Sequence, residues 1–205
     1  MSLAVLLKRL ATAAGRRIEH ALTGQTEYRV ISSAEPDFQR VDNNVKGKLV
    51  LAEVCQLLAR AYRIEVHAPV LLEVFSPGDA SAPALRWLLH GAVGSYQPHR
   101  LGERSAHQIF VVNELSRARF KAVVAHELVH AYERESSILQ SNRALREGFA
   151  RWIEYRTLLS EGEQHEAQKL LRIRRHGAGR SLRELLDIEK DRGVQGVLAF
   201  VHTVS

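Results

Sequence analysis

The sequence has one cysteine, Cys55, in 205 residues. A lone thiol makes no internal disulfide and leaves no basis for a Cys-rich zinc module such as a LIM, RING or zinc ribbon. A reducing compartment is the simplest expectation, and the cytoplasm is the predicted location. Long apolar runs are also missing. A membrane-spanning helix needs about 20 apolar residues, and no run approaches that length. The opening MSLAVLLKRLATAAGRR holds only a short apolar run, residues 3–7, ahead of Lys8. A secretory core needs about 7–15 apolar residues placed after its basic residues. No secretory leader is therefore expected; an amphipathic helix docked on the domain is. Internal repeats, low-complexity tracts and long linkers are absent too, which predicts one domain over residues 1–205.

What is present supports a sizeable core, with 45% hydrophobic residues in a chain of this length. The net charge of +6 permits nucleic acid, anionic membrane or acidic protein as partners without choosing among them. A solvated basic surface is the preferred reading. The densest basic stretch, LRIRRHGAGRSLR, contributes Arg172, Arg174, Arg175, Arg180 and Arg183. It lacks the interleaved aromatics that stack on bases and matches no nucleic-acid module. A solvated helix end and a turn at Gly177-Ala178-Gly179 are preferred, with nucleic acid as the secondary partner.

Periodicity predicts an amphipathic helix over residues 46–62, with Leu49, Val50, Val54, Leu57, Leu58 and Tyr62 at helical spacing and Cys55 packed within or beside it. Residues 64–75 predict strand, with Pro69 confining it to an edge or breaking it. Residues 93–99 read as a weak strand and 107–112 (HQIFVV) as a better one. Loops are expected at 32–36, 76–83 and 102–106. Ser116 can cap a helix from Arg117 to about Ser136, and Asn142 or Ser141 one from Arg143 to about Leu159. Residues 163–173, 182–190 and 194–201 read as helical. Mixed elements first and helices later predict an α+β fold. Its parts are an N-terminal helix and lead-in (1–45), an α/β part (46–140) and a helical part (141–205).

The informative stretch is FKAVVAHELVH, residues 120–130. Val124, Ala125, Leu128, Val129, Ala131 and Tyr132 spread apolar contacts around most of this helix, which predicts burial. His126, Glu127 and His130 fall together on one side. Residues four apart lie one above the other, so both imidazoles can point at one metal ion. Glu127 can act on a water there as general base without being a ligand. The HExxH pattern alone is only moderately specific, since an ordinary polar face on a helix can produce it. Two histidines and a carboxylate in an apolar helix would be costly to bury unpaired, and a metal removes that cost.

A third ligand is available in Glu147, sixteen residues intervening after His130. That length lets one helix end, the chain turn and a second helix return a carboxylate to the metal. Gly148 and Ala150 are small enough to let the second helix approach the first. A first-turn glutamate favoured by the helix dipole is the alternative; with HExxH upstream, the ligand reading is preferred. Two His and one Glu leave a fourth position open, as catalytic zinc requires.

HELVH followed by REGFARW resembles the gluzincin metallopeptidases, in which a glutamate from a second helix completes the zinc site. More narrowly, it resembles the peptidase domain of the plant organ-size regulators of the DA-one family. There an AHExxH motif precedes a Glu-Gly pair at this separation, matching Ala125-His126-Glu127, His130 and Glu147-Gly148 here. The similarity covers about fifty residues, from the strand 109–112 through residues 115–124 to the second helix. It implies a zincin-like fold and a zinc-dependent endopeptidase acting on protein substrates, with His126, His130 and Glu147 on one zinc ion. The plant members also carry ubiquitin-interacting and LIM segments. This chain lacks the cysteines for a LIM segment, so control by ubiquitin is not carried over. Arg146 stands where the family pattern has an acidic residue, which bears on the mouth of the site rather than on coordination.

Further roles remain open at this stage. Glu154, on the stripe of Glu147, is either an outer partner of the metal ligands or one half of a surface pair with Arg151. Strand 107–112 is either an edge that pairs with an extended substrate or an internal core strand. Tyr155, His165 and His176 are candidate oxyanion stabilisers by residue type. Two other functions compete. One is an HExxH protease targeted to DNA or a regulator by its basic surface. The other is a non-catalytic basic interaction module.

Overall fold

The computed structural model describes residues 38–77, 92–101, 104–172 and 177–204. The expected N-terminal helix, the loop at 32–36, most of the loop at 76–83, and Arg174, Arg175 and His176 lie outside them. The described part is a mixed α+β fold with five helices and two small sheets.

Strand β1 (Arg40–Val41) leads into helix α1 (Asn44–Tyr62). The helix starts two residues before its apolar pattern because the Asn43 side chain accepts from the amides of Val45 and Lys46, both at 3.0 Å. Its core face holds Val50, Leu51, Val54, Leu58 and Tyr62. Leu49 and Leu57 are half-buried, and Cys55, expected within or beside the core face, is exposed beside it. Position 55 lies just outside the buried stripe that Val54 and Leu58 define.

Strands β2 (Val70–Phe75), β3 (Gly94–Leu101) and β4 (Arg104–Val112) form a sheet in the order β2-β4-β3. β2 runs parallel to β4 and β3 antiparallel to it. Pro69 falls just before edge strand β2, and its carbonyl accepts from the His107 amide. HQIFVV is the central strand, with Ile109 and Val111 fully buried. The edge reading of that segment is therefore corrected: both its sides are taken, as its near-continuous apolar run requires. The turn expected at 102–106 is shorter, since strand resumes at Arg104.

Strand β5 (Leu115–Ser116) pairs with β1 and delivers the chain into α2 (Arg117–Ser136). Ser116 Oγ accepts from the Arg119 amide at 3.2 Å and starts the helix where the sequence predicts. Asn142 does the same for α3 (Arg143–Ser160), accepting from the Leu145 amide at 3.0 Å. Helix α4 (Gln164–Leu171) and helix α5 (Ala178–Thr203) follow. Gly193, at φ 68° and ψ −177°, interrupts α5 between the two helical stretches that the sequence separates.

Helix α2 packs on α1 and the sheet on one side and on α3 on the other, and α3 packs on α5. Phe120, Phe149 and Trp152 are fully buried at its centre, with Tyr62 meeting Trp152 edge-on at 5.6 Å. Glu53, Arg117, Lys121 and Glu161 tie α1, α2 and the end of α3 through ion pairs of 2.7–3.8 Å. Among the described residues, no helix is long and apolar enough to cross a membrane.

Candidate metal centre

Helix α2 is buried around most of its circumference, as its composition predicts, and its polar groups converge at one place. His126 and His130 sit one turn apart with their Nε2 atoms 3.3 Å from each other. Glu147, in the second turn of α3, brings Oε2 to 3.9 Å from His126 Nε2 and Oε1 to 3.7 Å from His130 Nε2. One ligand atom from each residue lies within 4.8 Å of the others. Two nitrogens about 2.05 Å from one ion at a tetrahedral angle would stand roughly 3.3 Å apart. The donor set and its spacing therefore fit one cation. The histidine side chains are 13% and 10% exposed and that of Glu147 is 38% exposed, so the cluster opens beside Glu147.

Each outward nitrogen has a carboxylate partner. His126 Nδ1 lies 3.1 Å from Glu154 Oε2, and Glu154 Oε1 accepts from Arg119 at 2.7 Å. His130 Nδ1 lies 2.9 Å from Glu133 Oε2, which also accepts from Arg146 Nε at 3.4 Å. A carboxylate on each Nδ1 favours the tautomer that leaves the Nε2 lone pair aimed inward. Glu154 is thus an outer partner, 5% exposed, and not half of a surface pair with Arg151. Arg146 reaches the carboxylate behind His130.

Charge in the cluster is tuned by burial and by these partners. Burial opposes a protonated His126, but the bond to Glu154 and the carboxylates of Glu127, Glu154 and Glu147 outweigh it and push the group up to about 9. Burial also works against an ionised Glu154; His126, Arg119 and Arg151 overcome it and hold the carboxyl below its usual value. For Glu127 burial wins, pushing the carboxyl up while His126 and His130 pull the other way. Burial thus raises the proton affinity of a carboxylate that stands beside two imidazoles.

Glu127 rests against β3. A Cβ on Gly94 would stand 2.3 Å from Val123 Cγ1 and 3.0 Å from Glu127 Oε1, so only glycine lets the strand lie this close. Gly148 behaves differently from its sequence reading. It faces α5, where a Cβ would meet Ser181 Cβ at 2.4 Å, and so permits the approach of α3 to α5 rather than to α2.

Of the candidate oxyanion stabilisers, Tyr155 packs against the core and His165 is exposed on α4. Arg172, Arg180 and Arg183 are exposed. Sequence reasoning missed Glu133, Arg119, Tyr96, His107 and Glu135. The three-residue spacing of His130 and Glu133 on a helix was the available signal for the first. No spacing announces the others, because Arg119 meets Glu154 through helix packing, and Tyr96, His107 and Glu135 meet only once the sheet is set against α2. No family model, no curated protein and no solved structure matches the chain, and the geometry of the cluster is what bears on its function.

Proposed function

We propose that this chain is a zincin-like, single-zinc metallopeptidase that hydrolyses peptide bonds of a protein substrate, with His126, His130 and Glu147 as zinc ligands and Glu127 as general base. One observation carries the reading. Two Nε2 atoms 3.3 Å apart face one carboxylate while each outer Nδ1 is held by a buried carboxylate. A carboxylate on the outer nitrogen of each imidazole is the arrangement that orients histidines toward a bound metal. The donor set selects zinc over harder ions, because two imidazoles suit it and magnesium or calcium would draw oxygen ligands.

A zinc ion bound there supplies Lewis acidity, lowering the pKa of a water and polarising the scissile carbonyl. Glu127 removes a proton from the attacking water as the C–O bond forms, then delivers it to the departing amine nitrogen as the C–N bond breaks. Glu133 and Glu154 keep the imidazoles in the ligating orientation. β3 borders this chemistry, and its outer side carries no partner strand among the described residues. It can hold an extended peptide by backbone pairing, taking the role that the sequence offered to strand 107–112.

The test compares wild type with Glu127→Gln and Glu147→Ala for zinc content and for cleavage of an unfolded casein-like protein. Wild type and Glu127→Gln should each carry stoichiometric zinc while only wild type cuts, and Glu147→Ala should lose metal. Wild type that neither retains nor takes up zinc would sink the proposal. Zinc content unchanged in Glu147→Ala would remove that residue from the site.

A further inference from the structure

One face of β3 lies along the helix that carries the cluster. Gly94 meets Val123 and Glu127. Two residues on, the Tyr96 ring stands 6.3 Å from the His130 ring, centroid to centroid. Alternate residues of a strand share a face, so both contacts are made by the same side of β3. Across the ladder Pro98 opposes His107, which is 2% exposed. His107 Nδ1 lies 3.0 Å from the Tyr96 hydroxyl and its Nε2 lies 2.8 Å from Glu135 Oε1. Glu135 also accepts from the backbone amides of His67 and Ala68, each at 2.8 Å. A single run of hydrogen bonds therefore starts at the lead-in to β2, passes through α2, crosses β4 and ends on β3 beside a cluster histidine.

The direction of each bond follows from its chemistry. Burial works against an ionised Glu135, but the two amides and His107 outweigh it and hold the carboxyl below its usual value. An ionised carboxylate only accepts, so His107 donates its Nε2–H. In the neutral imidazole Nδ1 is then a lone pair and accepts the Tyr96 O–H. Burial pushes the Tyr96 phenol up to about 12, so it keeps the proton this bond uses. The β-ladder requires none of these three side chains, and burying polar groups costs stability unless each is satisfied. Packing alone would be served by a phenylalanine at position 96.

We infer that Glu135, His107 and Tyr96 are positioning residues that hold the outer edge of β3 at a set height over Glu127 and His130, and that they govern the grip on an extended peptide rather than the grip on the metal. The peptide in this inference rests on the peptidase reading; the relay itself uses side chains that reading leaves idle. A substrate paired with β3 takes its register from the strand, while its scissile bond must meet groups on α2. The relay couples the two elements.

Tyr96→Phe keeps the ring and removes the bond to His107. Hydrogen exchange of the full chain, with and without zinc, reads the position of β3 directly. Amides of β3 should exchange about tenfold faster in Tyr96→Phe, the worth of one ordinary hydrogen bond, while those of β2 keep their protection. Zinc affinity should stay within about twofold of wild type, and KM for an extended peptide should rise about tenfold with kcat nearly constant. A loss in kcat at constant KM would overturn the positioning role and put the hydroxyl among the reacting atoms. Unchanged exchange in β3 would overturn it whether or not the chain cuts peptides. A zinc-loaded wild type that cuts nothing, together with faster β3 exchange in Tyr96→Phe, would support the relay and end the peptidase reading.

Discussion

At His126 a metal ion would compete with a proton for one lone pair. With no metal bound, the neighbouring carboxylates raise this imidazole to about 9, against the pull of burial. Below that pH a metal must displace the proton; above it there is none to displace. Apparent zinc affinity should therefore climb about tenfold per pH unit between about 6 and 8, flattening near 9. Calorimetry in buffers of different ionisation enthalpy should find one proton released per zinc bound in the lower range. Glu154→Gln weakens both sides of the contest. It should lower zinc affinity by about 10–100-fold, because the ring loses its orienting carboxylate, and shift the flattening to lower pH. A zinc affinity independent of pH in wild type would refute this account. Residues of this kind divide by how they are found. His126, His130 and Glu147 follow from spacing along the chain, and Glu154 from its place two turns after Glu147. Arg119 and Glu135 become meaningful only once helices and strands are packed.

At the scale of the element, starts were readable and faces were less so. Ser116 and Asn142 set the first turns of α2 and α3 by local chemistry that any solvent-exposed chain end would feel. The position of HQIFVV within the sheet needed the partners on both sides, which no periodicity encodes. Gly148 shows the same limit: its smallness was evident, but not that Ser181 is what it accommodates. A methyl there meets backbone as well as side chain, with the Leu182 amide nitrogen at 3.2 Å, so α3 and α5 must separate. Gly148→Ala should cost about 1–3 kcal/mol, as overpacked cores do. It should also weaken zinc binding, because the displaced helix carries Glu147. Thermal unfolding and a chelator competition check the two effects; a variant as stable as wild type would show that α5 yields without strain.

For the whole molecule, the α+β class was readable from the order of patterns, whereas the parallel pairing of β2 with β4 was not. The core is built from apolar contacts among α1, α2, α3, α5 and the sheet, with Phe120, Phe149 and Trp152 buried irrespective of any ion. The metal-free chain should therefore fold. Zinc at about 100 times its dissociation constant should add roughly 2.7 kcal/mol by mass action, a rise of several degrees in Tm. Calorimetry with zinc and with a chelator measures it. Complete unfolding on chelation would instead mark the ion as structural and favour the non-catalytic module.

Glu147 and Glu154 are both supplied by α3, and they meet the ligand helix at opposite ends of the His126 ring. Seven residues apart, they lie about 10 Å from each other along the helix axis. Core packing already fixes how α3 rolls, with Phe149 and Trp152 fully buried. Two contacts spaced along one stripe restrain tilt instead, so a change in the angle between α3 and α2 must be felt at both nitrogens of His126 together.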